Sequence, residues 1–362
     1  MHLCYYSNSG KGETAVKKIL AALLAVSTAL TFCACSGSDD PYKVGEGTIS
    51  GATSEGEYVV LPSNIPDELK YENTNKVFEY AVYGRHVEIT RFIGDETEVI
   101  IPAGIENRPV TIIAPSAFSD RLKVTSVHVP ATVTQIGDGA FERCRALTTV
   151  TGCEKVVTIG ANAFAYDESL VSFPWADAKS LLSIGAYAFT WCSSLDKVAI
   201  PAGCDTISDY SFRCCSGMKE LTFPDGRVDT LGEQAFYGCS SLEKLVYPAF
   251  FTSGESVFAS CTALVDLTFE EAATTVGARA FQACEALPEI TVPQHVTMIG
   301  DYAFGGCKSM KEVTFEGNMT AIGSHAFLLI DDLTVVGIPG SSAEVYAKNG
   351  TDGKNWKFKK LS

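Results

Sequence analysis

The sequence predicts a repeat solenoid that is rich in short β-strands and contains about ten repeats. Phenylalanine recurs at intervals of 22 to 25 residues, and fixed offsets from each phenylalanine carry the same kind of residue. One turn of about 23 residues cannot bury its own apolar face, so equivalent residues of neighbouring turns must cover it. The phenylalanines are Phe118, Phe141, Phe164, Phe189, Phe212, Phe236, Phe258, Phe281, Phe304 and Phe327.

One repeat shows the pattern that the others vary. Ile299 and Gly300 lie five and four residues before Phe304, Cys307 lies three after it, and Val313 lies nine after it. The glycine is expected to adopt a positive φ in a turn. The residues at offsets +9 and +11 are expected inside and those at +8 and +10 outside, because side chains alternate along a strand. Stacking would then give one continuous ribbon of parallel strands.

This Ile-Gly-x-x-Ala-Phe-x-x-Cys-x-x-Leu-x-x-Val-x-Ile-Pro pattern resembles the BspA-like leucine-rich repeat family of bacterial surface proteins over residues 76–362. The resemblance implies a leucine-rich-repeat-like right-handed α/β solenoid with short strands, helical turns and a cap at each end. It also implies a binding function, namely adhesion to host matrix proteins or to other bacteria. The motif residues are structural, so they do not specify the ligand.

The chain divides into five predicted segments. Residues 1–35 read as a lipoprotein signal peptide, in which Lys17 and Lys18 precede a short apolar run and Cys35 would carry the lipid. Residues 36–75 are a predicted flexible linker, 76–117 the N-terminal cap and first strands, 118–340 the solenoid, and 341–362 the C-terminal cap. We therefore predict an outer membrane lipoprotein at the cell surface that contacts the membrane through its N-terminal lipid only. A cleaved, secreted protein is the alternative.

Charge and cysteine usage exclude several classes of function. The formal net charge is −15, which argues against nucleic acid and anionic lipid as partners. Seven of the 13 cysteines share one repeat offset, which favours free buried thiols over disulfides. The five histidines do not stand at metal-ligand spacing with a cysteine pair, so neither a metal nor a cofactor is predicted. The sequence also shows no catalytic motif, so an enzyme is not predicted.

The outward offsets of the strands are the first candidate binding surface. We call it the polar face, and it is the predicted concave face. The alternative is that threonine simply suits an exposed strand and that the charges keep the protein soluble. The candidate residues are Thr149, Thr151, Lys197, Glu220, Thr222, Lys244, Asp266, Thr268, Glu289, Thr291, Glu312 and Thr314.

The second candidate surface is an aromatic strip formed by Tyr166, Trp191 and Tyr237, which could stack on a sugar or on a partner side chain. Its alternative is packing of loop residues against each other. The sequence thus predicts a lipid-anchored surface protein for adhesion or protein binding, with a glycan-capture lipoprotein of a polysaccharide uptake system as the alternative.

The array also has irregular repeats. Asp167 replaces the cysteine in one, and residues 250–254 lack the usual apolar residue and predict a bulge.

Overall fold

The computed structural model describes residues 67–224, 227–349 and 356–361. The predicted signal peptide, with Cys35, lies outside these residues, as does the predicted linker before residue 67. The described residues form a β-solenoid of about 12 turns, which confirms the predicted fold class. The segments around the phenylalanines are successive turns of the backbone instead of the predicted helical turns.

One sheet runs along the side of the solenoid that carries the Ile-Gly pairs, and we call it the isoleucine sheet. It begins with an antiparallel hairpin and continues with parallel strands, one per turn. The strands, in the order in which they pair, are β1 (Leu69–Thr74), β2 (Phe78–Tyr83), β3 (Val87–Phe92), β6 (Arg108–Ile113), β8 (Gln135–Ile136), β10 (Thr158–Ile159), β11 (Ser183–Ile184), β13 (Thr206–Ile207), β15 (Arg227–Leu231) and β17 (Ala249–Ser253), and β5 (Gly104–Ile105) pairs with β6. A separate three-stranded piece follows, consisting of β19 (Thr275–Val276), β21 (Met298–Ile299) and β23 (Ala321–Ile322).

The strands at offsets +8 to +11, which we call the outer strands, form four short sheets. The prediction of one continuous ribbon is therefore wrong. The sheets are β4 (Glu98–Ile100), β7 (Ser126–Val129) and β9 (Thr149–Gly152); β12 (Lys197–Ala199) and β14 (Glu220–Thr222); β16 (Lys244–Tyr247) and β18 (Asp266–Phe269); and β20 (Glu289–Val292), β22 (Glu312–Phe315), β24 (Thr334–Gly337) and β25 (Lys357–Lys360).

The core is a column of stacked phenylalanine rings. From Phe118 to Phe327, neighbouring ring centroids are 4.7 to 5.8 Å apart. The seven cysteines at offset +3 are buried and free, and each thiol donates a hydrogen bond of 3.0 to 3.5 Å to the phenylalanine carbonyl of the preceding turn. Backbone hydrogen bonds join neighbouring turns at equivalent positions. Phe141 N donates to Ala163 O and Phe304 N donates to Ala326 O, both at 2.7 Å.

The glycine at offset −4 allows close approach of two turns, so the predicted positive φ is wrong. Its φ is not positive in these repeats, and a Cβ added to Gly232 would lie 2.3 Å from the backbone nitrogen of Asp209 in the preceding turn. Positive φ occurs instead two residues before and two after each phenylalanine, as at Tyr187 (59°) and Trp191 (60°). These positions reverse the chain on both sides of the buried ring.

Both ends of the array are covered. At the N-terminal end, β1 lies inside the stretch predicted as linker, and Glu106 accepts hydrogen bonds from Tyr71, Tyr80 and Asn73, which fix the hairpin. At the C-terminal end, the cap consists of α1 (Ser342–Asn349), followed by β25. The indole nitrogen of Trp356 donates a 2.7 Å hydrogen bond to the Ile330 carbonyl.

Candidate functional site

The outer strands alternate as the sequence predicts. In β20, Ile290 and Val292 are buried while Glu289 and Thr291 are exposed, because successive side chains of a strand point to opposite sides of the sheet. All twelve candidate residues of the polar face lie on outer strands, namely Thr149 and Thr151 on β9, Lys197 on β12, Glu220 and Thr222 on β14, Lys244 on β16, Asp266 and Thr268 on β18, Glu289 and Thr291 on β20, and Glu312 and Thr314 on β22.

The middle of the polar face is electrically balanced. Lys197 Nζ lies 2.8 Å from Glu220 Oε1, and Lys244 Nζ lies 3.4 Å from Asp266 Oδ2. Each pair joins strands that are in register, so lysine and carboxylate alternate from turn to turn. These are exposed ion pairs, and such pairs contribute about 0 to 1 kcal/mol each to stability. Their main effect is to reduce the local charge.

The C-terminal part of the polar face is acidic. Glu289 pairs in register with Glu312, and Thr291 pairs with Thr314. Neither glutamate forms an ion pair with a described residue. Two carboxylates therefore lie on adjacent strands beside a row of threonine hydroxyls, where a cationic group of a partner would meet them.

Thr149 and Thr151 lie in the first of the four outer sheets, and the other candidates of the polar face lie in the following three. The outer strands break after β9, where the chain continues through Trp175 instead of a regular strand. The indole nitrogen of buried Trp175 donates a 3.1 Å hydrogen bond to the carbonyl of Lys197. On β9, Thr151 Oγ1 lies 3.0 Å from Nδ1 of His128 in the preceding turn. The structure thus separates these two threonines from the charged candidates.

The aromatic strip is placed only in part as predicted. Tyr166 and Trp191 occupy the same offset in consecutive turns and are 39% and 49% exposed. Tyr237 lies one residue earlier in its repeat and is half-buried, with the Arg213 guanidinium 5.1 Å from its ring centroid. The residue equivalent to Trp191 in that repeat is Gly238. Tyr237 is therefore removed from the strip, because a half-buried ring already covered by a guanidinium offers little surface to a ligand.

Sequence reasoning missed a second aromatic cluster beside the strip. The rings of Tyr187 and Tyr210 stack with centroids 4.7 Å apart, and Arg213 lies 5.7 Å from the Tyr210 centroid. Burial, and then the 2.9 Å hydrogen bond that Tyr210 donates to Glu233, raise the pKa of Tyr210 to about 12. Both tyrosines stand two residues before a repeat phenylalanine, and that shared offset was the signal that could have revealed them.

The irregular repeat at Asp167 contains a buried carboxyl group. Asp167 occupies the place of the cysteine and is fully buried. Its Oδ1 accepts a 2.7 Å hydrogen bond from the backbone N–H of Cys144, while no described residue bonds to Oδ2. Burial raises the pKa of Asp167 well above its usual value. The group is a source of pH-dependent stability, since its ionised form would lack solvation.

Within residues 67–224, 227–349 and 356–361, no three His, Cys, Asp or Glu side chains come together in an arrangement that could hold a metal ion. In the same part of the chain, no helix is sufficiently long and apolar to cross a membrane.

The protein consists of stacked turns with a phenylalanine column, thiols at a fixed offset and short parallel strands. These features define a leucine-rich repeat solenoid, and such proteins are generally binding scaffolds. The sequence matches the family described as BspA type leucine rich repeat region in six copies, over residues 111–243, 166–285 and 229–349. The chain belongs to this family. A comparison with curated proteins gives no match.

Solved structures of bacterial leucine-rich repeat proteins match most of this chain. A leucine rich cell surface protein from Faecalibacterium prausnitzii is 24% identical, with a TM-score of 0.54, and the match covers 80% of this chain and 95% of that chain. A leucine-rich repeat protein from Bacteroides ovatus is 21% identical, with a TM-score of 0.35, and the match covers 83% of this chain and all (100%) of that one. At 24% identity, the likeness to the F. prausnitzii protein concerns the fold alone.

Proposed function

We propose that this protein is a lipid-anchored binding protein of the cell surface, and that the acidic part of its polar face contacts a protein partner in adhesion. The observation that carries the proposal is the pair Glu289 and Glu312 on adjacent strands, flanked by Thr291 and Thr314. Adjacent carboxylates that form no ion pair with a described residue attract Lys or Arg side chains of a partner and steer its approach. Host matrix proteins and bacterial surface proteins are the partner classes, and no catalytic role is proposed.

Cell-surface placement and lipid attachment at Cys35 belong to the same proposal. The F. prausnitzii protein of the same fold is described as a cell surface protein. A lipid at Cys35 would tether the solenoid through the residues that precede β1. A Cys35→Ala variant should move the protein from the membrane fraction to the soluble fraction, and a variant that stays membrane-bound would refute the anchor.

Glycan capture is the second candidate function. Tyr166 and Trp191 support it, because two exposed rings on consecutive turns provide the flat apolar surface on which sugar rings stack. A partner glycan would then bind beside the polar face and not on it. The two functions differ in which residues they need.

The decisive experiment compares two binding assays with matched variants. Protein binding is measured by pull-down from host matrix and from bacterial surface extracts, and glycan binding on a glycan array. Adhesion predicts matrix binding that Glu289→Lys with Glu312→Lys weakens by about tenfold or more. The matched control, Glu68→Lys with Glu72→Lys, makes the same charge change at exposed sites at the N-terminal end and should have little effect. Capture predicts glycan binding that Trp191→Ala abolishes. Absence of binding in both assays would refute both functions.

A further inference from the structure

The aromatic cluster beside the strip contains an arginine whose charge is not neutralised by a described residue. The Arg213 guanidinium lies 5.7 Å from the ring centroid of Tyr210 and 5.1 Å from that of Tyr237. Its nitrogens form neither a hydrogen bond nor an ion pair with another residue of the described chain. A guanidinium carries five N–H donors in one plane. The two rings therefore position a cation whose donors are available to a ligand.

A second arginine that packs on a tyrosine shows what Arg213 lacks. The Arg279 guanidinium lies 5.2 Å from the ring centroid of Tyr302, and it also forms an ion pair with Glu255. The two arginines thus have the same kind of aromatic contact, but only Arg279 has a carboxylate partner. Contact with a tyrosine ring alone does not neutralise an arginine in this protein.

The glutamate that could neutralise Arg213 has other partners. Glu233 occupies in its repeat the place that Glu255 has in the following one, three residues before the phenylalanine. It accepts a 2.9 Å hydrogen bond from the Tyr210 hydroxyl and a 3.3 Å hydrogen bond from Gln234 Nε2. It forms no ion pair with Arg213. The positive charge of Arg213 is therefore left for a group outside the described chain.

Two exposed rings belong to the turn that precedes Arg213. Tyr187 stacks on Tyr210 with ring centroids 4.7 Å apart, and Tyr187 and Trp191 are 38% and 49% exposed. The Arg213 carbonyl accepts hydrogen bonds from Trp191 N at 2.8 Å and from Thr190 Oγ1 at 3.1 Å. These bonds fix the backbone of the arginine beside the turn that carries the exposed rings. Aromatic faces and one cation thus lie on the same side of the solenoid.

Backbone groups of this side are already paired with neighbouring turns. Tyr187 N donates a 3.0 Å hydrogen bond to Asp209 O, and Cys214 N donates a 2.7 Å hydrogen bond to Tyr237 O. A polypeptide that adds a strand needs unpaired N–H and C=O groups. Recognition here must instead use ring faces and charge, which favours a glycan over an extended peptide.

We propose that Tyr187, Trp191 and Arg213 bind an acidic oligosaccharide, whose sugar rings stack on the aromatic side chains and whose carboxylate pairs with the guanidinium. Aromatic rings bury large apolar faces, and the planar fork of arginine matches the two oxygens of a carboxylate. A uronic acid unit has both an apolar ring face and a carboxylate. Neighbouring turns are about 4.8 Å apart, so a short chain of such units can reach Trp191 and Arg213 together. This inference rests on glycan capture, the second candidate function, and narrows its ligand to glycans that contain uronic acids.

The test measures the affinity of the wild-type protein for uronate hexasaccharides by isothermal titration calorimetry. The probes are fragments of polygalacturonate, alginate and hyaluronan, and each is compared with its carboxyl-reduced form, which is neutral and keeps the same chain of sugar rings. We expect at least one acidic probe to bind about tenfold or more tightly than its reduced form, because hydrogen bonds to a charged group contribute about 1.5 to 3 kcal/mol.

The outcomes separate this inference from glycan capture itself. Neutral glycans that bind as tightly as every acidic probe would overturn the inference and leave glycan capture standing. Absence of binding to any glycan, acidic or neutral, would overturn both. Binding of hexaglutamate as tight as that of the best uronate would show a general anion site and would also overturn the inference.

Three variants locate the effect. Arg213→Gln should reduce binding of the acidic probe to the level of its reduced form, and Trp191→Ala should weaken both forms. Arg279→Gln is the matched control, because it removes an arginine that packs on a tyrosine but is already neutralised by Glu255, and it should leave the preference unchanged. A preference that persists in Arg213→Gln would overturn the inference. If Arg213→Gln does not fold, the comparison of acidic and reduced probes on the wild-type protein remains decisive.

Discussion

The Oδ1 atom of Asp167 accepts a 2.7 Å hydrogen bond from the backbone N–H of Cys144, in the preceding turn of the solenoid. Seven other repeats have a thiol at this place whose pKa is raised by burial, and Asp167 has a carboxyl group whose pKa is raised for the same reason. A carboxyl group that is neutral in the folded protein and ionised in the unfolded chain makes stability depend on pH.

Asp167 should therefore make a contribution to the free energy of unfolding that falls as pH rises. Above the unfolded pKa of about 3.9, the unfolded chain releases the Asp167 proton and the folded protein keeps it, so stability decreases by about 1.4 kcal/mol per pH unit until the folded pKa is reached. Asp167→Asn removes this pH dependence. The free energy of unfolding of the variant, measured in urea and taken relative to wild type, should therefore increase between pH 4.5 and pH 7. Asp138→Asn is the control, because Asp138 Oδ1 accepts a similar bond from Ala161 N at an exposed site. A pH-independent difference for Asp167→Asn would contradict the prediction.

The glycines at offset −4 should differ in their tolerance of a methyl group. Gly232→Ala should destabilise the protein by about 1 to 3 kcal/mol or more, because the added Cβ overlaps the backbone of Asp209. Gly277→Ala, at the same place in its repeat, should cost less, because its Cβ first meets the movable hydroxyl of Ser253. Thermal unfolding of both variants measures the difference. Equal losses of stability in the two variants would show that neighbouring turns approach as closely at Gly277 as at Gly232.

The phenylalanine column should dominate stability. Phe212 is fully buried between Phe189 and Phe236, and Phe212→Ala should cost about 3 to 5 kcal/mol in chemical denaturation. Leu122→Ala is the comparison, since Leu122 is 59% exposed and its loss should change stability by about 0.5 kcal/mol or less. Similar effects of the two substitutions would contradict the stacked core.

The thiols should differ in reactivity according to burial. Burial raises the pKa of Cys204 and Cys307 to about 12, so both remain protonated and inaccessible in the folded protein. Cys214 is half-buried, while the other described cysteines are buried. Iodoacetamide labelling of the native protein followed by mass spectrometry should therefore modify Cys214 first among the described cysteines. Labelling of Cys307 at the same rate would show that the array opens locally.

The regular part of the fold could be predicted because it follows from repetition. Phe304 and Cys307 had to be buried, since their equivalents recur at every turn and only stacked neighbours can cover them. The isoleucine sheet was missed because a two-residue strand such as Met298–Ile299 has no recognisable alternation of its own. The break in the outer strands near Trp175 was also missed, because one indole replaces strand pairing there and no local pattern signals this.

The candidate surfaces were predicted less well than the core. Outward offsets identified Glu289 and Glu312 correctly as neighbours, because register carries equivalent residues onto adjacent strands. Tyr237 was misplaced by a single residue, which in a turn is sufficient to change the direction of a side chain. The bulge predicted for residues 250–254 falls on β17, and the hydrogen bond that Gly277 N donates to the Tyr247 hydroxyl beside it required the structure.

The backbone bonds from Phe141 to Ala163 and from Phe304 to Ala326 join different turns with the same donor and acceptor offsets. Any turn with this pattern can thus follow any other, and a gene can gain or lose whole 23-residue units by recombination without creating an unmatched junction. The turns around Tyr247 keep this bond, from Phe258 N to Ala280 O at 2.9 Å, and differ at the glycine, where the Tyr247 hydroxyl accepts the bond from Gly277 N. Loss of the unit that carries Tyr247 should therefore leave the remaining units able to stack.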